Sequence, residues 1–454
     1  MKKKTKNRVY VGIDIGGTKI AVGLVDQAGK LFAVRKSPTP EGGSGPRIFR
    51  LVKGLIQELL KDQKINRARI RGIGLGVPGI VRPDHRDILI TPNVGLSGYP
   101  LAAQLEKSFK TRVVLGNDVN LGTLGEKWFG VGKGVENIIG LFPGTGVGGA
   151  IIIDGKLITG SQGAAGEIGH MVLDMHSPRK SAGLYGTVEA LASRRAIERA
   201  IKEAVAKKVP TIITKLQGGK LVAVKSSVLA EALWRKDPLT MRIINEVCRV
   251  LGQACVSLRH ILNPDMIILG GGVMEACGDY MLPRIRKISA ADPFFKGIDD
   301  CRVERSFLGD DAVILGAVVL LKQVLGEKIS AGADYYPKVR ADKSGNVWVS
   351  DKLVRKNIYI RADGKMKKLN GSAALAEGGL SSWLGMSVLK QLCKKGPKVL
   401  IVGSARRRPR ITSEGKKFLR EYGIEARLLN VTEAVKAYNA ARERKAMVVC
   451  RREA

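Results

Sequence analysis

The sequence predicts an α/β protein of two successive lobes followed by a smaller α/β domain at the C-terminal end. Three observations lead there. A strand–glycine turn–strand pattern occurs twice, around Gly16-Gly17 and around Gly144 to Gly149, which suggests a duplicated architecture. Beyond residue 345, short strands and helices alternate at βαβ spacing. Charge density also changes near that point: residues 326–454 hold 29 Lys+Arg against 12 Asp+Glu, a net +17 of the +36 on all 454 residues. A chain of this length exceeds what one hydrophobic core sustains, so two or three domains are expected.

In chain order, Val9–Ile15 reads as a buried strand ending at Asp14 and a Gly-Gly turn, and residues 21–25 as the next strand, closed by Gln27-Ala28-Gly29. Ile48, Leu51, Val52, Leu55, Ile56, Leu59 and Leu60 fall at helical spacing, which predicts an amphipathic helix over 47–62. Ile70–Val77 is a strand stopped by Pro78-Gly79, and 113–115 another that runs into Asn117-Asp118. The second lobe is expected to open near Leu121. It holds a strand at 137–142, a hairpin of 150–153 and 156–159 around Asp154-Gly155, and helices over 186–207 and 239–262. Met266–Leu269 then leads into Gly270-Gly271-Gly272, and a helical run at Ala312–Val324 closes the fold by returning to the first lobe. The expected boundaries are 8–325 (lobes about 8–120 and 121–305), a connector over 326–345, and 346–454. In the last part, strands are expected at 346–350, 357–361, 398–402, 425–429 and 446–450, and helices at 386–394, 414–422 and 433–442.

Composition narrows the class. Hydrophobic residues make up 44%, ordinary for a globular chain. Cys248, Cys255, Cys277, Cys301, Cys393 and Cys450 form no CxxC pair and read as scattered reduced thiols of a cytoplasmic protein. Met1-Lys2-Lys3-Lys4 precedes a run broken by Gly12 and Asp14, too short and polar for a signal peptide. No stretch approaches the ~18 apolar residues of a membrane span, so no membrane partner is expected. The positive charge favours polyanions. Yet the basic residues are spread along the chain and only 5% of residues are aromatic, whereas single-strand binders interleave aromatics with the basic groups. Nucleic acid is therefore not the expected partner.

Four motifs carry chemistry. In Asp14-Ile15-Gly16-Gly17-Thr18-Lys19, backbone N–H groups, a hydroxyl and an ammonium can cradle phosphate, and Asp14 can hold a water of Mg²⁺; a plain hairpin is the alternative. Gly144-Thr145-Gly146-Val147-Gly148-Gly149 fits G-x-G-x-x-G, but a strand follows rather than a helix, so it is read as a second phosphate loop and not as a dinucleotide fingerprint. Asp118, at a strand end beside Asn117, is placed to accept a proton during phosphoryl transfer, unless it merely caps a helix. Glu167 and His170, with Glu189 on the following helix, offer the mixed donors and acceptors that sugar hydroxyls need.

Together these residues resemble the ROK family of repressors and sugar kinases. LFPGTGVGGAIIIDGKLITGSQGAAGEIGH (141–170) is similar to its signature, and DIGGTK, GVPGIV (76–81), TPN (91–93), GND (116–118), EALAS (189–193) and NPDMIILGGGV (263–273) follow the family pattern in order. The resemblance covers about residues 8–325 and implies an actin-like, RNase H-type two-lobed fold. It implies Asp118 as catalytic base, with Asn93, Asn117, Asp118, Glu167, His170 and Glu189 around the sugar. Asp14, Gly16, Gly17, Thr18, Lys19, Thr145, Gly146, Gly271 and Gly272 would surround ATP and its Mg²⁺. One departure matters. Many members carry a Cys-rich zinc loop after the His, but residues 171–189 contain no cysteine, so no zinc is expected. The C-terminal part, through PKVLIVGSA (397–405), TEAVKAYN (432–439) and VVC (448–450), resembles a small family whose members include a mitochondrial complex I assembly factor.

The expected activity is ATP-dependent phosphorylation of a hexose, glucose first, with N-acetylmannosamine, N-acetylglucosamine and fructose open. A homo-oligomer, dimer or tetramer, is expected. A sugar-sensing repressor would need an N-terminal helix-turn-helix, for which a first strand at Val9 leaves no room. A non-catalytic scaffold is disfavoured by retention of Asp118 and both glycine turns.

Overall fold

The computed structural model describes residues 8–92, 94–219, 223–297 and 301–329, and, further on, 339–342, 346–349, 352–354, 358–361, 366–368, 383–384, 386–393, 397, 399–404, 410–441 and 445–450. The chain divides into two compact units, Met1–Ala333 and Asp334–Ala454.

The first unit is built twice on one plan. Its first sheet has β1 (Val9–Ile15), β2 (Lys19–Val25), β3 (Leu31–Pro38), β4 (Ile70–Val77) and, after the small pair β5 (Ile80–Val81) and β6 (Ile88–Ile90), β7 (Val113–Asn117). The strand order is β3-β2-β1-β4-β7, with the first three antiparallel and the last two parallel to β1. The second sheet has β8 (Ile138–Pro143), β9 (Val147–Ile153), β10 (Lys156–Ile158), β13 (Met266–Leu269) and β14 (Arg302–Arg305), in the order β10-β9-β8-β13-β14 with the same pattern of directions. A short hairpin, β11 (Lys180–Ser181) and β12 (Leu184–Tyr185), lies between β10 and β13 in sequence. Strands buried on both faces read as continuous apolar runs, which is why β1, β4 and β13 were legible as strands.

Helices fill the layers: α1 (Gly45–Asp62) and α2 (Leu101–Phe109) on the first sheet, then α3 (Asp118–Phe129). Beside the second sheet stand α4 (Val188–Ala192), α5 (Arg194–Ala206), α6 (Ile213–Leu216), α7 (Ser226–Trp234), α8 (Pro238–Leu262) and α9 (Gly271–Ala290). The single helix expected over 186–207 is two, because Ser193 is extended (φ −72°, ψ 163°) and caps Ala196 N–H. The last helix, α10 (Ala312–Val324), comes after the second sheet but packs on the first sheet and on α3. It fits because glycines open the sheet surface to it. A Cβ on Gly74 would stand 2.2 Å from the Ala317 carbonyl oxygen, so any larger residue there would push the helix off the sheet. No helix among the described residues is long and apolar enough to cross a membrane.

The second unit holds a sheet of five strands, with β15 (Ile358–Ile360), β16 (Met366–Lys368), β17 (Val399–Ser404), β18 (Glu425–Asn430) and β19 (Lys445–Cys450) in the order β16-β15-β19-β17-β18. Its helices are α11 (Met386–Cys393), α12 (Ser413–Glu421) and α13 (Val431–Ala440), the last started by an Asn430/Glu433 capping box. Strand alternation sorts the core. Leu400, Val402 and Val448 pack with Leu389, Leu392 and Phe418, whereas Ile401, Met447 and Val449 pack with Val431, Ala434 and Tyr438. Val339–Ala341, inside the stretch expected as a connector, is a strand paired with Val347–Val349.

Candidate active site

The two glycine turns lie at equivalent places, between the first two strands of each sheet. In the first, Gly16 N–H donates to the Lys19 carbonyl at 2.9 Å, and Thr39 fixes the outside of the turn by donating its hydroxyl to the Gly16 carbonyl at 2.6 Å. Gly17 and Thr18 are left exposed. Lys19 Nζ meets Asp310 at 2.9 Å and Lys36 Nζ meets its other oxygen at 2.6 Å. Burial alone would raise the Asp310 carboxyl, but hydrogen bonds from Lys36 and Lys19 hold it down at about 2.

The second turn is braced from α4 and α5. Gly144 N–H donates to the Gly146 carbonyl at 2.8 Å, and Arg194 reaches Thr145 Oγ1 at 3.2 Å. Glu189 Oε2 accepts from Val147 N–H at 2.9 Å, and a Cβ on Gly146 would lie 2.1 Å from that same oxygen. Gly146 is therefore glycine because Glu189 must approach the turn. Gly271, with φ 78°, starts α9 against the end of β8, and neither Gly270 nor Gly271 has a side chain to cap the first-turn N–H groups beside Gly272.

Between the turns runs a row of carboxylates. Asp118 opens α3 because Asn117 is its N-cap: Asn117 Oδ1 accepts from Val119 N–H and Asn120 N–H at 2.9 and 3.0 Å, while its amide donates to the Gly79 carbonyl at 2.9 Å. Asn117 thus spends most of its capacity on holding the strand–helix junction. Burial pushes the Asp118 carboxyl up to about 6, against the backbone N–H groups of Val119 and its own residue, and Glu167 pushes the same way. Burial, then the charge of Asp118, lifts Asp14 to about 7 against the pull of Lys19. Glu167 is exposed as a residue, yet partial burial of its carboxyl raises it; His170 opposes this and Glu189 adds to it. His170 Nδ1 is buried and has no hydrogen-bond partner among the described residues.

The structure thus links Asp14, Asp118, Glu167, His170 and Glu189 in one electrostatic series, with Lys19 at one end and Thr145-Gly146 at the other. Asn93 lies outside the described residues. Sequence reasoning missed Asp310, Lys36 and Ser181, whose hydroxyl donates to Glu189 Oε1. A faint signal existed for Asp310 in the acidic pair Asp310-Asp311 before an apolar helix. Zinc does not fit the segment between His170 and Glu189. It has no thiolate, His176 is exposed, and no group of three His, Cys, Asp or Glu side chains suited to a metal occurs among the described residues.

Comparison with known proteins places this geometry. The ROK family model matches residues 10–324. A glucokinase from Halalkalibacterium halodurans is 32% identical over 320 residues, which is 70% of this chain and 96% of that protein. A xylose repressor from Caldicellulosiruptor bescii is 30% identical over 311 residues, 68% of this chain and 77% of that one. Among solved structures, a ROK family glucokinase from Streptomyces griseus in complex with glucose and AMPPNP superimposes with a TM-score of 0.61 at 29% identity, covering 69% of this chain and 99% of its own. With that neighbour, the mixed sheets and helices of this chain agree with the actin-like two-lobed architecture expected from the sequence. With the match running from the first strand to the last helix of the first unit, the chain belongs to the ROK family.

Proposed function

We propose that the first unit is a sugar kinase that transfers the γ-phosphoryl group of ATP to a hexose hydroxyl, glucose being the leading acceptor. The observation that carries this reading is Asp118: a carboxylate at a helix N-terminus, lifted to about 6, between the Asp14–Lys19 turn and the Glu167–His170–Glu189 group. Such a group is ionised at neutral pH yet keen to take a proton, as a general base requires. Glu167, Glu189 and the free Nδ1 of His170 would orient the acceptor, and the family resemblance adds Asn93 and Asn117 to that role. Gly16, Gly17, Thr18, Thr145, Gly146, Gly271 and Gly272 would offer N–H and hydroxyl donors to the phosphates. Lys19 would leave part of its pairing with Asp310 for the phosphate.

The residues fit a magnesium ion. Asp14 is a carboxylate lifted to about 7 by burial and by a neighbouring carboxylate, an environment that a divalent cation relieves. When bound, Mg²⁺ supplies charge neutralisation on the phosphate oxygens. Asp118 would take the proton from the attacking hydroxyl, and the amides of the two turns would face the developing charge.

The repressor relative supports a second reading, a sugar-binding regulator without turnover. A coupled ADP-release assay over a panel of hexoses separates the two. Turnover on at least one hexose, lost in Asp118→Asn, supports the kinase; sugar binding by calorimetry with no ADP release supports the regulator. The second unit, Asp334–Ala454, stands outside this chemistry as a separate module, with the complex I assembly factor family as its leading resemblance.

A further inference from the structure

The segment between His170 and Glu189 lacks the donors for a zinc ion, yet it is closely built. Its two ends are tied, since Val188 N–H donates to the Met171 carbonyl at 2.9 Å and Val172 pairs with Thr187. The β11–β12 hairpin turns on Ala182 and Gly183, both at positive φ (47° and 86°). Gly186 forms the crossing point. Its N–H donates to the Arg179 carbonyl at 2.8 Å, and its own carbonyl accepts from Leu173 N–H at 2.9 Å and Asp174 N–H at 3.2 Å. It has φ 62°, and a Cβ would stand 1.7 Å from the Asp174 oxygen, so no other residue fits without moving the chain. From this crossing two side chains reach out. Arg179 forks onto both oxygens of Glu203 on α5, with Nη1 at 2.5 Å and Nη2 at 2.6 Å. Ser181, on the hairpin, donates to Glu189 Oε1, the oxygen that Val147 does not use.

We propose that Ser181 and Arg179 are positioning residues that hold this loop without a metal: Arg179 anchors the hairpin to α5, and Ser181 fixes the rotamer of Glu189. Fixed at Oε2 by the phosphate turn and at Oε1 by the hairpin, the Glu189 carboxylate has one orientation, and its remaining lone pairs face a ligand. A planar fork suits the anchor better than a single point charge, because two parallel hydrogen bonds set direction as well as distance. The consequence for Glu189 rests on its reading as a sugar ligand; the brace itself does not.

Two measurements on the full chain test it. In Ser181→Ala the sugar KM should rise about tenfold, the scale of one lost hydrogen bond to a charged group. The kcat and the ATP KM should stay within about twofold, and Ser181→Thr should restore the sugar KM. In Arg179→Met, which keeps the stem, amide hydrogen exchange across 171–187 should accelerate while exchange in β8 and α8 does not. Prolonged dialysis against a zinc chelator should leave the exchange of 171–187 unchanged. An unaltered sugar KM in Ser181→Ala, in a protein whose parent turns over and whose Asp118→Asn variant does not, overturns the role of Ser181 and leaves the kinase reading intact. If the parent phosphorylates no sugar, the kinase reading fails and hydrogen exchange still judges the brace. Protection lost to the chelator, or kept in Arg179→Met, overturns it.

Discussion

Asp14 and Asp118 hold carboxylates where desolvation disfavours their charge, at about 7 and about 6. Both must be ionised for the proposed chemistry, so kcat/KM should climb from pH 5 to pH 8, with apparent midpoints near those values that belong to the coupled pair rather than to either residue. A flat profile over that range would remove the pair from the mechanism. The same shift fixes a sign for stability. A carboxyl whose folded pKa is raised binds its proton more tightly folded than unfolded, so its ionised form costs stability above about 6, and the cost fades as pH falls toward 3.8. Asp118→Asn should therefore lose at least ~10²-fold in kcat while melting a few degrees higher than the parent at pH 8 and equally at pH 4. Lower melting at pH 8 would show that Asp118 is stabilised where it sits. Asp14, Lys19 and Asp118 were legible in sequence because each stands at or beside the edge of a strand, next to a glycine or Asx signal. Asp310 was not, because its partner Lys36 lies 274 positions away and only the folded chain brings them together.

At the scale of the element, α3 joins the two halves of the site. Its first residue is Asp118, and two turns on Glu126 is fully buried. Glu126 Oε1 accepts from Ser306 Oγ at 2.7 Å, Phe307 N–H at 2.7 Å and Leu308 N–H at 2.6 Å, while Oε2 accepts from Val131 N–H at 3.0 Å. Residues 306–308 lead directly to Asp310, so one carboxylate sets both the end of α3 and the start of the segment that pairs with Lys19. Glu126→Ala removes the acceptor that these donors share in the core and should cost roughly 3–5 kcal/mol in urea unfolding; Glu126→Gln, which keeps one oxygen, should cost less than half of that. A loss below about 1 kcal/mol in the alanine variant would mean that water replaces the carboxylate. Elements were read well where one period dominates: β1, β4 and β13 were read to the residue, and α8 to within one. Misses came where a local signal competed. The strand β9 starts at Val147, three residues before the expected start at 150, and the expectation fell short because Gly148-Gly149 read as loop. The helix α9 was not expected, because it opens on Gly271-Gly272 and contains Pro283, and both features argue against a helix in sequence.

For the whole molecule, the repeated strand order puts a glycine turn between the first two strands of each sheet, and the end of α10 shows how the chain leaves that fold. The end of α10 is tied back to the first sheet. Glu327 accepts from the Tyr10 hydroxyl and from Arg71 Nε at 2.6 Å, and Lys322 donates to the Gln27 carbonyl at 2.8 Å above the Tyr10 ring. Burial and the bond to Glu327 push the Tyr10 hydroxyl well above its usual range, so it stays a donor throughout the physiological range. These contacts carry the packing of the first unit three residues beyond α10, to Glu327. A chain ending at Lys328 should fold and phosphorylate sugar with the kcat/KM of the full chain. A chain ending at Gly326 loses Glu327, leaves the Tyr10 hydroxyl and Arg71 without it, and should be less stable by about 1–2 kcal/mol, a drop of a few degrees in Tm, with the same kcat. The second unit has apolar packing on both faces of its own sheet, so residues 334–454 should melt cooperatively alone and release no ADP. The comparison of the three proteins by kinetics and calorimetry decides the boundary. Equal melting of the two shorter chains would remove Glu327 from the latch, and an inactive chain ending at Lys328 would make the second unit part of the kinase.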